Sequence, residues 1–249
     1  MTRRLAILNR KGGVGKTALT VNVGHALARA GNKVALIDLD PQGHVATSFG
    51  FAPEKDGMDS VMLDNNPMHN VVQTVRENVD IFPSGHRLIE VEQLRTQGAA
   101  CAKILSESQA SSISDYDYVL YDCPPSAGVI MSNALLATEN VVSPVTGDYL
   151  ALEGLSCVAR AIAHLKQALG HNLKHWVAMS RINVRRRINE DIFRKVTASF
   201  PDAVLPTVVR EAAVLAECAG FGQTVFEFRG KCSSAGEFSQ LATDIVKRW

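Results

Sequence analysis

The 249-residue sequence has few of the features that mark secreted, membrane or metal-cluster proteins. Its five cysteines are far apart, odd in number and form no C-x-x-C pair, which argues against a disulfide framework and against a zinc or iron–sulfur site. The apolar run Leu5–Leu8 is too short for a signal peptide, and no stretch approaches the roughly 18 to 20 apolar residues of a membrane span. The formal net charge is only +1, so any contact with nucleic acid must come from a local basic patch. We expect a cytosolic protein.

Short apolar runs rich in Val, Ile and Leu alternate with segments of helical periodicity, and runs that are apolar on both faces predict buried parallel strands. The predicted strands are Leu5–Leu8, Val34–Ile37, Val79–Phe82, Tyr118–Tyr121, Val141–Val145 and Trp176–Ile182. The predicted helices are Lys16–Ala30, Asp59–Leu63, Ser126–Thr138, Leu152–Leu169, Ile188–Phe200 and Ala235–Trp249. This alternation predicts one α/β domain over residues 1–249, a doubly wound, mostly parallel sheet flanked by helices. Its ligands should lie at the carboxyl ends of the strands.

The first predicted strand runs into the glycine-rich segment Lys11-Gly12-Gly13-Val14-Gly15-Lys16-Thr17 and then into a helix. This order is typical of a phosphate-binding loop, because glycines let backbone N–H groups surround a phosphate and the helix N-terminus adds a positive dipole. Lys16 is the candidate for bridging the β- and γ-phosphates of a nucleotide, and the Thr17 hydroxyl for holding Mg²⁺. The plain template G-x-x-x-x-G-K-[ST] is not matched at its first glycine, where Arg10 stands, and a second lysine, Lys11, follows it.

Two further predicted strands end in carboxylates, at the sheet edge where the phosphate loop also lies. Asp38 and Asp40 follow the second strand, and Asp122 ends the strand that begins at Tyr118. Asp40 is a candidate for orienting the attacking water, Asp38 for supporting Mg²⁺ or the phosphate loop, and Asp122 for holding Mg²⁺. The alternative for Asp38 and Asp40 is that they cap a turn before Pro41.

These motifs together resemble the ParA/MinD family of deviant Walker A P-loop ATPases, in particular its ParA (Soj-like) branch. The resemblance is carried by Lys11 and the loop after it, by Asp38-Leu39-Asp40-Pro41-Gln42-Gly43 and by Tyr121-Asp122-Cys123-Pro124-Pro125-Ser126. It implies slow, partner-stimulated ATP hydrolysis with Mg²⁺ in an ATP-sandwich homodimer, where Lys11 reaches the phosphates of the partner. The implied nucleotide-binding residues are Lys11, Gly12, Gly13, Val14, Gly15, Lys16, Thr17, Ala18 and Arg210, and the implied catalytic residues are Lys11, Lys16 and Asp40.

The resemblance covers most of the chain but shows one departure. Where ParA proteins usually have Ile-Pro-Arg-Asn, this sequence has Val208-Val209-Arg210-Glu211, which keeps the arginine and loses the proline. The resemblance therefore does not assign the family's adenine-contacting residues in this sequence. Because the phosphate loop begins within the first dozen residues, we expect no N-terminal helix-turn-helix.

The branches of this family differ in the surface on which the ATP dimer sits. Arg185-Arg186-Arg187 is the densest basic cluster of the sequence, and it lies where ParA proteins that bind DNA without sequence preference carry basic residues. The resemblance then implies association with the nucleoid and a ParB-like or cargo-adaptor partner, with a plasmid, a chromosome origin or a protein cluster such as a carboxysome as cargo. The alternative for the cluster is a solvated turn.

The second functional hypothesis is a MinD-like regulator that is recruited to a membrane by a basic amphipathic helix at the C-terminus. The segment Ala235–Trp249 is amphipathic and carries Lys247-Arg248, but no linker separates it from the preceding chain. We therefore expect this helix to pack in the core and expect no membrane partner.

Overall fold

The computed structural model describes residues 2–52, 55–109, 112–183 and 187–249. Strands of these residues form one sheet: β1 Arg3–Ile7, β2 Val34–Asp38, β3 Gln73–Arg76, β4 Val79–Phe82, β5 Tyr118–Asp122, β6 Asn140–Val145 and β7 Lys174–Met179. Their order in the sheet is β3-β4-β2-β5-β1-β6-β7. Neighbouring strands are parallel except for β3 and β4, which are antiparallel.

Helices pack on both faces of the sheet. The α-helices are α1 Lys16–Arg29, α2 His44–Ser48, α3 Met58–Asp64, α4 Ile104–Ser108, α5 Val129–Ala137, α6 Tyr149–Leu169, α7 Arg187–Ser199, α8 Ala213–Gly220, α9 Val225–Arg229 and α10 Ser233–Lys247. Two segments are 3₁₀-helical, Met68–Asn70 and Leu88–Ala102.

The central strand β1 shows why both faces are covered. Leu5 and Ile7 are fully buried in the apolar layer that includes α1 and α10, and Ala6 and Leu8 are fully buried in the opposite layer with α3 and α5. Successive side chains of a strand point to opposite faces, so a run that is apolar at every position needs a helix layer on each side. The predicted α/β, doubly wound, mostly parallel sheet is confirmed.

Several element ends differ from the prediction for identifiable reasons. The strand predicted to reach Ile182 ends at Met179, because Arg181 has a left-handed backbone with φ of 53°. The helix predicted from Leu152 begins one turn earlier, at Tyr149, because the Asp148 side chain accepts a hydrogen bond from the Ala151 amide and caps the helix.

One strand, β3, and four short α-helices, α2, α4, α8 and α9, were not predicted, because their sequences lack a strong pattern. The edge strand β3 is mostly polar, and its bulge between Thr74 and Arg76 breaks the alternation. Helices α8 and α9 span only eight and five residues. Such short segments give little periodicity to read.

Helix α10 packs in the core, as the sequence predicts. Phe238, Leu241 and Ile245 are at most 1% exposed and belong to the same apolar layer as α1. The apolar stripe of this helix is therefore covered by protein. Among the described residues, the helices are too short or too polar to cross a lipid bilayer.

Candidate functional site

The glycine-rich loop joins β1 to α1 at the carboxyl edge of the sheet. Gly13 has φ of 74° and Gly15 has φ of 90°, a left-handed backbone that side chains other than glycine rarely adopt. Gly15 precedes α1 and has no side chain to cap it, and the first turn of α1 carries no acidic residue. The positive end of α1 is thus left to an external anion. Between these glycines, the Val14 side chain anchors the loop in the core at 0% exposure.

Lys16, Thr17 and Asp122 form the centre of the site. The Thr17 hydroxyl donates a 2.6 Å hydrogen bond to Asp122 Oδ2, and Thr20, one turn later on α1, donates to Oδ1 at 3.1 Å. Burial raises the pKa of Asp122 to about 7, although the bond from Thr17 opposes the shift. Lys16 is 7% exposed and donates to the Lys11 carbonyl at 3.2 Å. Burial lowers the Lys16 pKa, against the attraction of the Asp122 charge.

Asp38 lies beside Asp122, because the two residues are paired in register on β2 and β5. Its carboxylate accepts hydrogen bonds from the amides of Asp40 and Val45, both at 3.0 Å. Burial and the nearby Asp122 charge raise the pKa of Asp38 well above its usual value. Asp38 therefore holds the loop that carries Asp40. The half-buried Asp40 side chain accepts a hydrogen bond from the Gln42 amide at 3.0 Å.

This donor set fits a magnesium ion that is shared with a phosphate ligand. Two carboxylates, Asp38 and Asp122, are fully buried beside a hydroxyl, that of Thr17, and Lys16 is the nearby cation. Mg²⁺ prefers one or two carboxylates together with water and substrate phosphate oxygens. The described residues include no group of three or more His, Cys, Asp and Glu side chains able to hold a metal by themselves. The phosphates would have to complete the coordination.

Lys11, at the front of the loop, is held by Asp148, the residue that caps α6. Its Nζ lies 2.5 Å from Asp148 Oδ2, and its backbone amide donates to Asn9 Oδ1 at 3.0 Å. Burial tends to raise the pKa of Asp148, but the bonds from Lys11 and Thr146 outweigh it and the pKa is lowered. Gly12 is exposed beside Lys11. The Lys11 ammonium therefore lies at the rim of the site, half-buried and paired with a carboxylate.

A cavity of about 220 Å³ adjoins the loop on the side of β7. Ala18, Ser180, Arg181 and Glu211 are among its lining residues. Arg181 Nη1 donates a 2.7 Å hydrogen bond to the Gly13 carbonyl, which ties the cavity wall to the phosphate loop.

Arg210, which the resemblance places at the nucleotide, has its side chain on Glu237 of α10. Its neighbours Val209 and Glu211 line the cavity beside the phosphate loop, while the Arg210 guanidinium makes an ion pair with Glu237. A nucleotide contact by Arg210 stays a prediction.

The structure brings together Lys11, Lys16, Thr17, Asp38, Asp40 and Asp122, the charged and hydroxyl residues that the sequence predicts at one edge of the sheet. Arg185 and Arg186 lie outside the described residues, and α7 begins at Arg187. Sequence reasoning missed Thr20, Arg181 and Asp148. Thr20 could have been found, because it lies three residues after Thr17 and so on the same helix face.

Comparisons with known proteins agree with this geometry. A family model described as an AAA domain matches residues 2–175. The chromosome partitioning protein ParA of Caulobacter vibrioides is 32% identical over 254 residues, which cover 99% of this chain and 94% of that protein. The sporulation initiation inhibitor protein Soj of Bacillus subtilis is 30% identical over 250 residues and 99% of both chains.

A solved structure is similar over the whole length of this chain. Cobyrinic acid a,c-diamide synthase from Mycobacterium smegmatis, with bound ADP and magnesium, superposes with a TM-score of 0.83 and is 27% identical. The match covers 100% of this chain and 96% of that one. The match therefore spans the segments that carry the phosphate loop, the strand ends at the site and the C-terminal helices.

Proposed function

The chain belongs to the ParA/Soj family of P-loop ATPases, and on that premise we propose that it is an ATP-dependent positioning ATPase acting as one domain over residues 1–249. It would form an ATP-sandwich homodimer on non-specific DNA, in the cytoplasm and on the nucleoid. A ParB-like or cargo-adaptor partner would stimulate its slow hydrolysis of ATP. The partitioning proteins among its full-length relatives support this proposal.

The observation that carries the ATPase assignment is the convergence of Lys16, Thr17 and Asp122 at the mouth of the phosphate loop. Thr17 and Asp122, 2.6 Å apart, are the residues that would hold Mg²⁺, which supplies positive charge to the phosphates when bound. The solved relative with ADP and magnesium supports both ligands. The Lys16 ammonium, already desolvated, would bind the β- and γ-phosphates, and its interaction with anionic oxygens is strengthened by burial.

Asp40 would act on the attacking water rather than on the metal. One of its oxygens is occupied by the Gln42 amide, and its backbone amide is fixed by Asp38. The other carboxylate oxygen could accept a hydrogen bond from a water molecule at the edge of the site. Lys11 would offset charge on the transferring phosphoryl group of the partner subunit, as an arginine finger does.

The adenine ring is assigned to the 220 Å³ cavity beside Ala18 and Arg181. This cavity opens next to the phosphate loop, and Arg181 is tied to that loop through Gly13. A base bound there would have its phosphates over the N-terminus of α1. Glu211, which also lines the cavity, provides an acceptor for an exocyclic amino group.

Replacing Asp40 by Ala tests this function. The variant should bind ATP and form the dimer but lose turnover by about 10²-fold or more, because the water is no longer oriented. Nucleotide titration, size-exclusion chromatography with ATP and phosphate release measure the three properties. Asp56→Ala, which removes an exposed carboxylate outside the site, is the control. Normal turnover in Asp40→Ala would refute the assignment.

A further inference from the structure

Helix α5 follows β5 through the loop 123–128 and begins without a capping residue of its own. The position before the helix is Gly128, which forms no side-chain cap, and the first turn has no acidic residue. Pro124 and Pro125 in the loop carry no N–H groups. The first amides of α5 are nevertheless buried with Val129 and Ile130, and buried N–H groups need an acceptor.

The acceptor is the carboxylate of Glu92, which comes from the 3₁₀ segment Leu88–Ala102. Glu92 Oε2 accepts from the Val129 amide at 2.8 Å, and Oε1 accepts from the Ile130 amide and the Ser126 hydroxyl, each at 3.4 Å. A negative charge at a helix N-terminus is also favoured by the helix dipole. Glu92 therefore holds both the start of α5 and the loop that leads to it.

Gly128 provides an independent sign that this contact is built into the sequence. A Cβ atom at position 128 would lie 1.8 Å from Glu92 Oε2. The φ of Gly128 is −146°, an extended value that any residue can adopt, so its backbone does not require glycine. A side chain at position 128 would instead have to displace the Glu92 carboxylate from its place at the start of α5.

We propose that Glu92 is a positioning residue for ATP hydrolysis, acting through the loop 123–128. This inference rests on the proposed ATPase activity. The loop begins directly after Asp122, which bonds Thr17 at 2.6 Å, so a shift of the loop moves the groups around the γ-phosphate. The phosphate loop itself, with Lys16, makes no contact with Glu92 among the described interactions. Loss of the tether should therefore affect turnover more than nucleotide binding.

The test uses Glu92→Gln, which keeps the size of the side chain and replaces one carboxylate oxygen by an NH₂ group that cannot accept a hydrogen bond. Turnover should fall about tenfold, because misplacement of reacting groups by a fraction of an ångström has effects of this order, while the KM for ATP changes by less than about threefold. In nucleotide-free protein, hydrogen exchange at the Val129 and Ile130 amides should accelerate about fivefold or more, since a cap contributes about 1 kcal/mol.

Glu90→Gln is the matched control, because it makes the same change on an exposed carboxylate of the same segment; it should alter neither measurement. Gly128→Ala should reproduce the loss of turnover in the wild-type background by displacing the carboxylate. In a Glu92→Ala background it should add little, which a double-mutant cycle measures.

The outcomes separate the two proposals. If the wild-type protein hydrolyses ATP and Glu92→Gln leaves both kcat and the exchange of the two amides unchanged, the positioning role is refuted. An equal fall in kcat for Glu90→Gln refutes it as well, since the effect would then follow charge alone. Absence of ATP hydrolysis in the wild-type protein overturns the proposed function, and the positioning role with it.

Discussion

At the scale of single residues, the site contains two carboxylates whose burial is unfavourable unless hydrogen bonds or a ligand compensate it. Asp38 and Asp122 are both fully buried and adjacent on neighbouring strands. Burial raises both pKa values, and nearby carboxylate charges, that of Asp122 on Asp38 and that of Asp40 on Asp122, add to the shift. Each accepts two hydrogen bonds, which keeps the carboxylates from being left unsatisfied. Two carboxyl groups with raised pKa values beside one lysine indicate a functional site, in which a bound cation would balance the carboxylate charges.

His175 offers a separate test of buried ionisation, away from the nucleotide site. Burial lowers its pKa from 6.5 to about 4, and its Nε2 lies 2.9 Å from the Ser143 hydroxyl. Between these pH values the unfolded chain binds a proton that the folded chain does not. The stability that neutral His175 provides is therefore complete above pH 6.5 and is lost as the pH falls towards 4.

His175→Gln should reduce the fall of the unfolding free energy with decreasing pH by up to about 1.4 kcal/mol per pH unit, because glutamine does not titrate. Urea unfolding at several pH values between 4 and 7 measures it. His164→Gln, which removes an exposed histidine, should leave the slope unchanged. Parallel pH curves for the wild-type protein and His175→Gln would contradict the prediction.

At the scale of elements, the position of the phosphate loop depends on helix α6, which is distant from the loop in sequence. Asn9 is fully buried; its amide donates to the Pro144 carbonyl at 2.8 Å, and its oxygen accepts from the Lys11 amide at 3.0 Å. Gly154 of α6 lies against it, and a Cβ there would be 2.1 Å from Asn9 Oδ1. Helix α6 thus approaches the loop as closely as a glycine allows.

Gly154→Ala should weaken ATP binding about tenfold, as the added methyl displaces Asn9 and the turn that carries Lys11. The opposing effect is a gain in helix propensity of about 1 kcal/mol, so overall stability should change little. Titration with a fluorescent ATP analogue and thermal unfolding measure the two effects.

The matched control is Gly236→Ala in α10, where a Cβ would meet nothing within 4 Å. This variant should gain stability of about 1 kcal/mol and retain its ATP affinity. Equal ATP affinity in Gly154→Ala and the wild-type protein would show that the loop tolerates the displacement of Asn9.

At the scale of the whole molecule, the proposed output depends on the surface that the dimer presents. The C-terminal helix α10 uses its apolar stripe in the core, which disfavours the MinD-like alternative with that helix as a lipid anchor. The net charge is +1, so binding of DNA has to rely on local cations that dimerisation doubles.

Replacing Arg185, Arg186 and Arg187 together by Glu should abolish retention on plasmid DNA and leave ATP-driven dimerisation intact. Co-sedimentation with plasmid DNA and, separately, with anionic liposomes, each with and without ATP, measures the surface preference. For the wild-type protein we expect ATP-dependent retention on DNA that weakens steeply with salt. Survival of DNA binding in the triple variant would place the basic patch elsewhere, and ATP-dependent retention on liposomes would favour the membrane alternative.

A charge-matched control distinguishes the loss of a local basic patch from a nonspecific effect of changing the net charge by six units. Arg95, Lys103 and Lys166 are exposed cations on other elements, and their joint replacement by Glu makes the same change in net charge. DNA retention should persist in this control.

Much of this protein could be predicted from the sequence because the decisive signals are local. Lys16 and Thr17 lie in a strand–loop–helix segment whose geometry is set by the glycines beside them, and Asp38 and Asp122 each end an apolar strand. Parallel strands bring such ends to the same edge, so the meeting of Thr17 with Asp122 follows from connectivity and hydrophobic pattern.

The tertiary structure alone determined the contacts between segments that are far apart in the sequence. Lys11 pairs with Asp148, 137 positions later, Glu92 caps a helix that begins at Val129, and Arg181 binds the carbonyl of Gly13. Each depends on how a helix or loop packs across the sheet edge, with close approach set by single glycines such as Gly128 and Gly154. The amino-acid sequence by itself determined the phosphate loop and the strand-end carboxylates, because both are properties of contiguous segments. Packing across the sheet determined which distant side chains hold them in place.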